Sequence, residues 1–278
     1  MTATIAAAAP AAPSAKPDSA KGTYLASVSS EWTKLRSVRS TVYSLVATIG
    51  ITVGLGALFC AAAMARWDRF DRIDIVRFDG TSRSLRGIFL AQLAIGVLGV
   101  LVIGAEYTTG AIRTTFAATP RRRTVIAAKA TVLGVVAFVV SSVGTFTAFF
   151  IGQSILTQHH VGSSIGDPSV LRAVLGGSVY LTAVAIIGFS LATVLRRTPG
   201  AIAALFAVVL VLPLLSNALP DPWNTDVAKL LPATAGESLF SVIGGSDLLS
   251  TGRALLTLGI WVVGTFSLAL FAINRRDT

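Results

Sequence analysis

"ATVLGVVAFVVSSVGTFTAFFIG" (residues 130–152) runs for 23 residues without a charged side chain. At 1.5 Å per residue such a helix would cross the roughly 30 Å hydrocarbon layer of a bilayer. The stretch is apolar all round. Its serines and threonines can return their hydroxyls to the helix backbone, so lipid suits it better than water. Five further runs share this character, near residues 42–64, 87–105, 173–195, 201–218 and 254–273. The expectation is therefore an all-α polytopic membrane protein with six transmembrane helices.

Composition points the same way. Of the 278 residues, 53% are hydrophobic and only 13% charged, too few to cover a water-facing surface. The net charge of +10 could in other settings suggest nucleic acid. Here the bases sit at the ends of apolar runs, where they set topology and meet anionic lipid, so nucleic acid is not expected as a partner. The single cysteine, Cys60, lies inside the first run and rules out a disulfide framework. The opening "MTATIAAAAPAAPSAKPDSA" lacks a basic start and is broken by prolines, so residues 1–24 read as a disordered cytosolic tail rather than a cleaved leader.

Orientation follows the positive-inside rule. With the N-terminus in the cytosol, 14 of the 23 lysines and arginines fall inside, and both termini are cytosolic. The first outer loop, "RWDRFDRIDIVRFDGTSRSLR", opposes this with six arginines, interleaved with four aspartates. A second outer segment contains "ATAGESLFSVI", which reads equally as a short helix or an ordinary loop. Gly50 and Gly54, and the pair at 176–177, are candidates for close helix approach.

By these boundaries no span interior holds Asp, Glu, Lys, Arg or His; Gln92 and Gln153 are the strongest polar groups. Ion-coupled carriers generally keep an ionisable residue at membrane depth, so coupled transport by this chain alone is disfavoured. No H-E-x-x-H metal motif, intramembrane aspartate pair or G-x-x-x-x-G-K-[ST] phosphate loop occurs. The chain is not expected to be an enzyme or to hold a cofactor. His159 and His160 are adjacent in an outer loop, where solvation outweighs metal binding.

Two elements remain at the expected inner face. In "SVSSEWTKLRSVRSTVYSL", Leu25, Val28, Trp32, Leu35 and Val42 recur at helical steps, with Lys34, Arg36 and Arg39 around them. That pattern suits an amphipathic interfacial helix over 25–40, capped by Ser29 or Ser30 with Glu31 in its first turn. Glu31 sits close to the apolar stripe and spoils it. The second is "GAEYTTGAIRTTFAATPRRRTVIAAK" (residues 104–129). Gly110 allows a turn after Glu106 and Tyr107, and Ile112 and Phe116 form a small apolar face beside Arg113. Thr119 caps a new helix with Pro120 at its first position, and Arg121–Arg123 and Lys129 hold the loop inside. The short helix is either a lever for a partner or a plain topological loop.

"SEWTKLRSVRS" before the first span, "EYTTGAIRTTFAATPRRRTVIAAK" between the second and third, and "LPATAGESL" before the last resemble permease subunits of type-2 ATP-binding-cassette exporters, especially actinobacterial ones. The resemblance implies an elbow helix with Glu31, Trp32, Leu35, Arg36 and Arg39. It also implies a coupling helix with Glu106, Gly110, Ile112, Arg113, Phe116 and Thr119 that docks on a separate ATPase. ATP and magnesium would be bound by that partner, two permease copies would pair, and a hydrophobic or amphiphilic compound would leave across the bacterial cytoplasmic membrane. Thr108 stands where relatives often carry a basic or polar residue, which leaves any ion pair there open. Rival readings are a non-transporting anchor or sensory subunit and a secondary carrier using backbone sites.

Overall fold

The computed structural model describes residues 20–76, 78–118, 121–159, 161–221, 223–243 and 248–275. Most of the expected tail, Thr119, Pro120 and His160 lie outside the described residues. Among the described residues the chain is helical without strands. In order, α1 is Ala20–Ser37, α2 Arg39–Met64, α3 Arg72–Val76, α4 Gly80–Ser84, α5 Ile88–Thr109, α6 Ala111–Ala118 and α7 Arg122–Leu156. There follow α8 (Val170–Leu195), α9 (Thr198–Phe206), α10 (Leu212–Ser216), α11 (Trp223–Lys229), α12 (Pro232–Phe240) and α13 (Thr251–Arg275).

Six stretches are long and apolar enough to cross a membrane: α2, α5, α7 with the short turn after it, α8, α9–α10 taken together, and α13. They match the six apolar runs, with one informative difference. Residue 130, where the charge-free run begins, is not where its helix begins: α7 is 35 residues long, about 52 Å at 1.5 Å per residue. It therefore carries Lys129 within its second turn, and α5 likewise extends past Glu106. Within the bounds read from the sequence the span interiors hold no ionisable residue; the helices continue past the places where the apolar runs stop, and carry Glu106 and Lys129 there.

α8 is the most enclosed span and the α9–α10 span the least. α5 and α8 meet backbone to backbone. A Cβ added at Gly99 would stand 2.0 Å from the Ala185 carbonyl oxygen, and one at Gly188 would stand 2.4 Å from that of Gly96. Small residues permit this approach, as is usual where helices associate in lipid. Of the glycine pairs picked out in the sequence, Gly176 and Gly177 do abut neighbouring elements, whereas Gly50 and Gly54 face open space. The fifth span changes at Ala207–Val211 into a π-helical turn. Pro213 follows directly and has no N–H to offer the Val209 carbonyl, so the regular ladder is interrupted there.

The bundle has two chemically different ends. One carries the close of α5, α6, the start of α7, the α8–α9 turn and the close of α13; α1 lies against α7 there. The other is built from loops and short helices, and two charges of the loop between α2 and α5, Asp79 and Arg83, are engaged there. Asp79 accepts hydrogen bonds from the backbone N–H of Val242 (3.0 Å) and Ile243 (3.1 Å), and Ser82 N–H caps onto it at 2.9 Å. Arg83 lies over the rings of Phe70 and Phe78, which cluster with Trp67, and His159 stacks on Trp67.

The segment "ATAGESLFSVI" falls largely in α12, so of the two open readings the helix is the one observed. Arg172 closes the C-terminal end of α12 by donating to the carbonyls of Leu239 (3.1 Å) and Ser241 (2.8 Å), groups left without helical partners. Glu237, on the same helix, has its pKa raised by burial, which the charge of Arg86 offsets only in part. The folded state therefore binds this proton more tightly than the unfolded chain. Its contribution is favourable at low pH and is lost as pH rises through the raised pKa. Thermal unfolding should show stability declining above the ordinary carboxyl range, with the slope weaker in Glu237→Gln. An undiminished slope in that variant would assign the effect elsewhere.

Candidate coupling site

α1 begins at Ala20, five residues before the expected start, so Ser29 and Ser30 lie inside the helix and do not cap it. The Ser29 hydroxyl instead donates to the Ala26 carbonyl. The apolar stripe divides. Leu35 is buried and Val28 packs beside it with Val132 and Val136 of α7, whereas Leu25 and Trp32 are exposed, as are Arg36 and Arg39. Tyr24 reaches Thr131 Oγ1 at 2.9 Å and adds a second tie between α1 and α7.

The group that most looks misplaced in the sequence, Glu31, explains the arrangement. It is one of four clustered charges drawn from three helices. Lys129 Nζ donates to Glu106 Oε1 at 2.8 Å and also to Glu31 Oε2; Lys34 Nζ donates to Glu31 Oε1 at 2.9 Å and reaches Glu106 Oε1 at 3.4 Å. The Lys129 side chain is 3% exposed, that of Glu31 6% and that of Glu106 14%. Two carboxylates and two ammonium groups neutralise one another, which is the condition under which charge is tolerated away from water. For Lys34, burial acts to lower the pKa, but the hydrogen bond to Glu31 and the charge of Glu106 outweigh it and hold the ammonium above its usual range.

Lys129 is thus more than an anchor to the headgroup layer, the role its place after Arg121–Arg123 suggested. It is the buried centre of a clamp joining α1, α5 and α7. The signal available in the sequence was Glu31 on an otherwise apolar stripe. Its distant partner, Lys129, stands 98 positions away, and Glu106, which shares that lysine, 75 positions away, beyond any local pattern. A cavity of about 380 Å³ adjoins the clamp, walled by Leu35, Leu101, Val102 and Val132 and edged by Lys34 and Thr114.

Gly110 ends α5 with a positive φ of 74°, a left-handed conformation that favours glycine, and the chain turns at once into α6. Here the structure redirects the reading of the two apolar residues. Ile112 is 3% exposed and Phe116 7% exposed, and both belong to the main core of this chain. The Arg122 guanidinium lies 5.5 Å from the Phe116 ring centroid. They root α6 in its own bundle and are not a surface for a partner to grip. The face that α6 leaves open carries Arg113, Thr114 and Ala117. The same end is tied sideways as well: Thr108 Oγ1 lies 3.5 Å from Thr198 Oγ1, and Arg196 lies over the Tyr107 ring.

Among the described residues no group of three or more metal-binding side chains converges. What the site offers is mechanical: a short rooted helix between two spans, clamped to a third helix by buried ion pairs. Six helices long and apolar enough to cross a bilayer define a polytopic membrane protein. The chain belongs to a named family within that class: residues 27–214 match the model of the ABC-2 family transporter protein, so this is an ABC transporter permease of the ABC-2 type. No curated protein matches the chain. Membership implies a membrane and an ATPase partner.

Proposed function

We propose that the chain is the membrane subunit of an ATP-driven exporter that moves a hydrophobic or amphiphilic compound across the bacterial cytoplasmic membrane. A separate ATPase subunit binds ATP and magnesium and docks on α6; this chain itself catalyses no reaction. Two permease copies form the path, and the end carrying α1 and α6 faces the cytosol, which places both termini there. The observation that supports the reading is the rooting of α6 by Ile112 and Phe116 between α5 and α7. A push on α6 would reach both spans directly and α1 through the Lys129 clamp. For ATP to drive the change, the ATPase must bind two permease states with affinities that differ by a few kcal/mol.

The buried charges do not restore the carrier reading. Glu106 stands in the last turn of α5 and Lys129 near the start of α7, outside the charge-free runs, and the two pair with each other. A coupling-ion site needs a group free to exchange its ion near the middle of the membrane. Reconstitution with the neighbouring ATPase should give uptake of a lipophilic dye into inverted liposomes that depends on ATP and is abolished by vanadate. Uptake by this chain alone, driven by an ion gradient without ATP, would reverse the assignment. Intact binding of the ATPase without any uptake would favour the anchor or sensor.

A further inference from the structure

At the end that carries α6, the start of α7 and the close of α13 border an open surface hollow of about 390 Å³. It is lined by Arg121, Arg122, Arg123, Thr124 and Asn274. Among the described residues, ion pairs occur only within the Glu31–Lys34–Glu106–Lys129 cluster, and none of the three arginines is paired with a described carboxylate. Arg122 is held from one side by the Phe116 ring, which fixes its planar group without neutralising it. Three guanidinium groups and one amide therefore line a single hollow with donors in excess.

We propose that this hollow binds the phosphate head of an anionic membrane lipid. Guanidinium groups present paired N–H donors in a plane that match two phosphate oxygens, and several around one hollow can satisfy a phosphodiester more fully than one alone. Asn274 adds an amide donor from a different helix, so the site spans a helix–helix junction rather than following one sequence run. Lipid is favoured over a free anion by position. The hollow lies at the close of α13 and the start of α7, roughly 12 Å along α7 from residue 130 where the charge-free run begins, and so on the headgroup side of that run. Below it on α13, Phe271 and Leu268 are exposed and provide apolar surface for the acyl chains. Bound there, the lipid would tie α13 to the root of α7, beside the helix that Phe116 anchors. This site stands independently of ATP-driven export, and its test uses the permease chain alone.

The test measures binding of a fluorescent cardiolipin analogue to the purified full-length chain in neutral detergent, with a labelled phosphatidylcholine as the control. The anionic probe should bind at least about tenfold more tightly than the zwitterionic one. Replacing Arg121, Arg122 and Arg123 together by lysine keeps the charge and the topology signal but removes the planar forks, and should weaken binding by about tenfold. Asn274→Leu, which alters no charge, should weaken it by about threefold. Equal binding of the two probes, or cardiolipin affinity unchanged in both variants, would overturn the site and leave only a diffuse basic field. Displacement of the probe by a few millimolar inorganic phosphate would overturn the lipid assignment in favour of a free anion. Its persistence at that concentration is the expected result.

Discussion

Replacing Lys129 by methionine should destabilise the folded chain by about 3–5 kcal/mol, the usual cost of removing one partner from a buried ion pair. Methionine fills a similar volume, so the loss is electrostatic. Among the described residues, Lys129 is the one buried cation that donates to Glu31 and Glu106; Lys34 reaches both from a side chain that is 43% exposed. Without Lys129 two buried carboxylates would face each other across the end of α5 with one half-solvated ammonium between them. Detergent-purified Lys129→Met should unfold at a clearly lower temperature than the natural chain. Adding Glu31→Gln and Glu106→Gln should recover much of the loss, since neutral amides no longer repel. A melting temperature close to that of the natural chain would show that the clamp contributes little. Failure of the triple variant to recover would assign the loss to packing around the aliphatic stem.

The spans were legible because each is a continuous apolar run, a signal that needs no knowledge of tertiary partners. The turn at Gly110 was legible for a similar local reason: only a residue without a Cβ adopts its positive φ at little cost. The clamp was not, since its pairs join α1 to α5 and α7 across long separations in sequence. Lys129 and the three arginines before it look alike as a basic cluster, yet the helix rotates Lys129 inward and leaves Arg121 and Arg123 exposed. The same rotation decides α6. Residues four apart share a helical face, so Ile112 and Phe116 were correctly paired, but periodicity cannot say whether that face meets the chain's own core or another protein.

That distinction is testable by contrasting the two faces of α6. Arg113 and Ala117 are also four apart, and both are exposed. If the ATPase docks on this face, as the proposed function requires, Arg113→Glu combined with Ala117→Glu should weaken its association by about 10–100-fold, or about 1.4–2.7 kcal/mol. The permease itself should fold and melt as before, because neither side chain is buried. Phe116→Asp should behave in the opposite order. It places a carboxylate in the core and removes a buried ring, a change on the order of 3 kcal/mol or more, so the isolated permease should already be unstable before any partner is added. Co-purification with the ATPase and unfolding of the permease alone, measured on both variants, separate the two effects. An Arg113→Glu/Ala117→Glu chain that still captures the ATPase and stimulates its hydrolysis would remove α6 as the docking element. Loss of association in Phe116→Asp could not rescue that assignment, since an unfolded permease loses every partner surface at once.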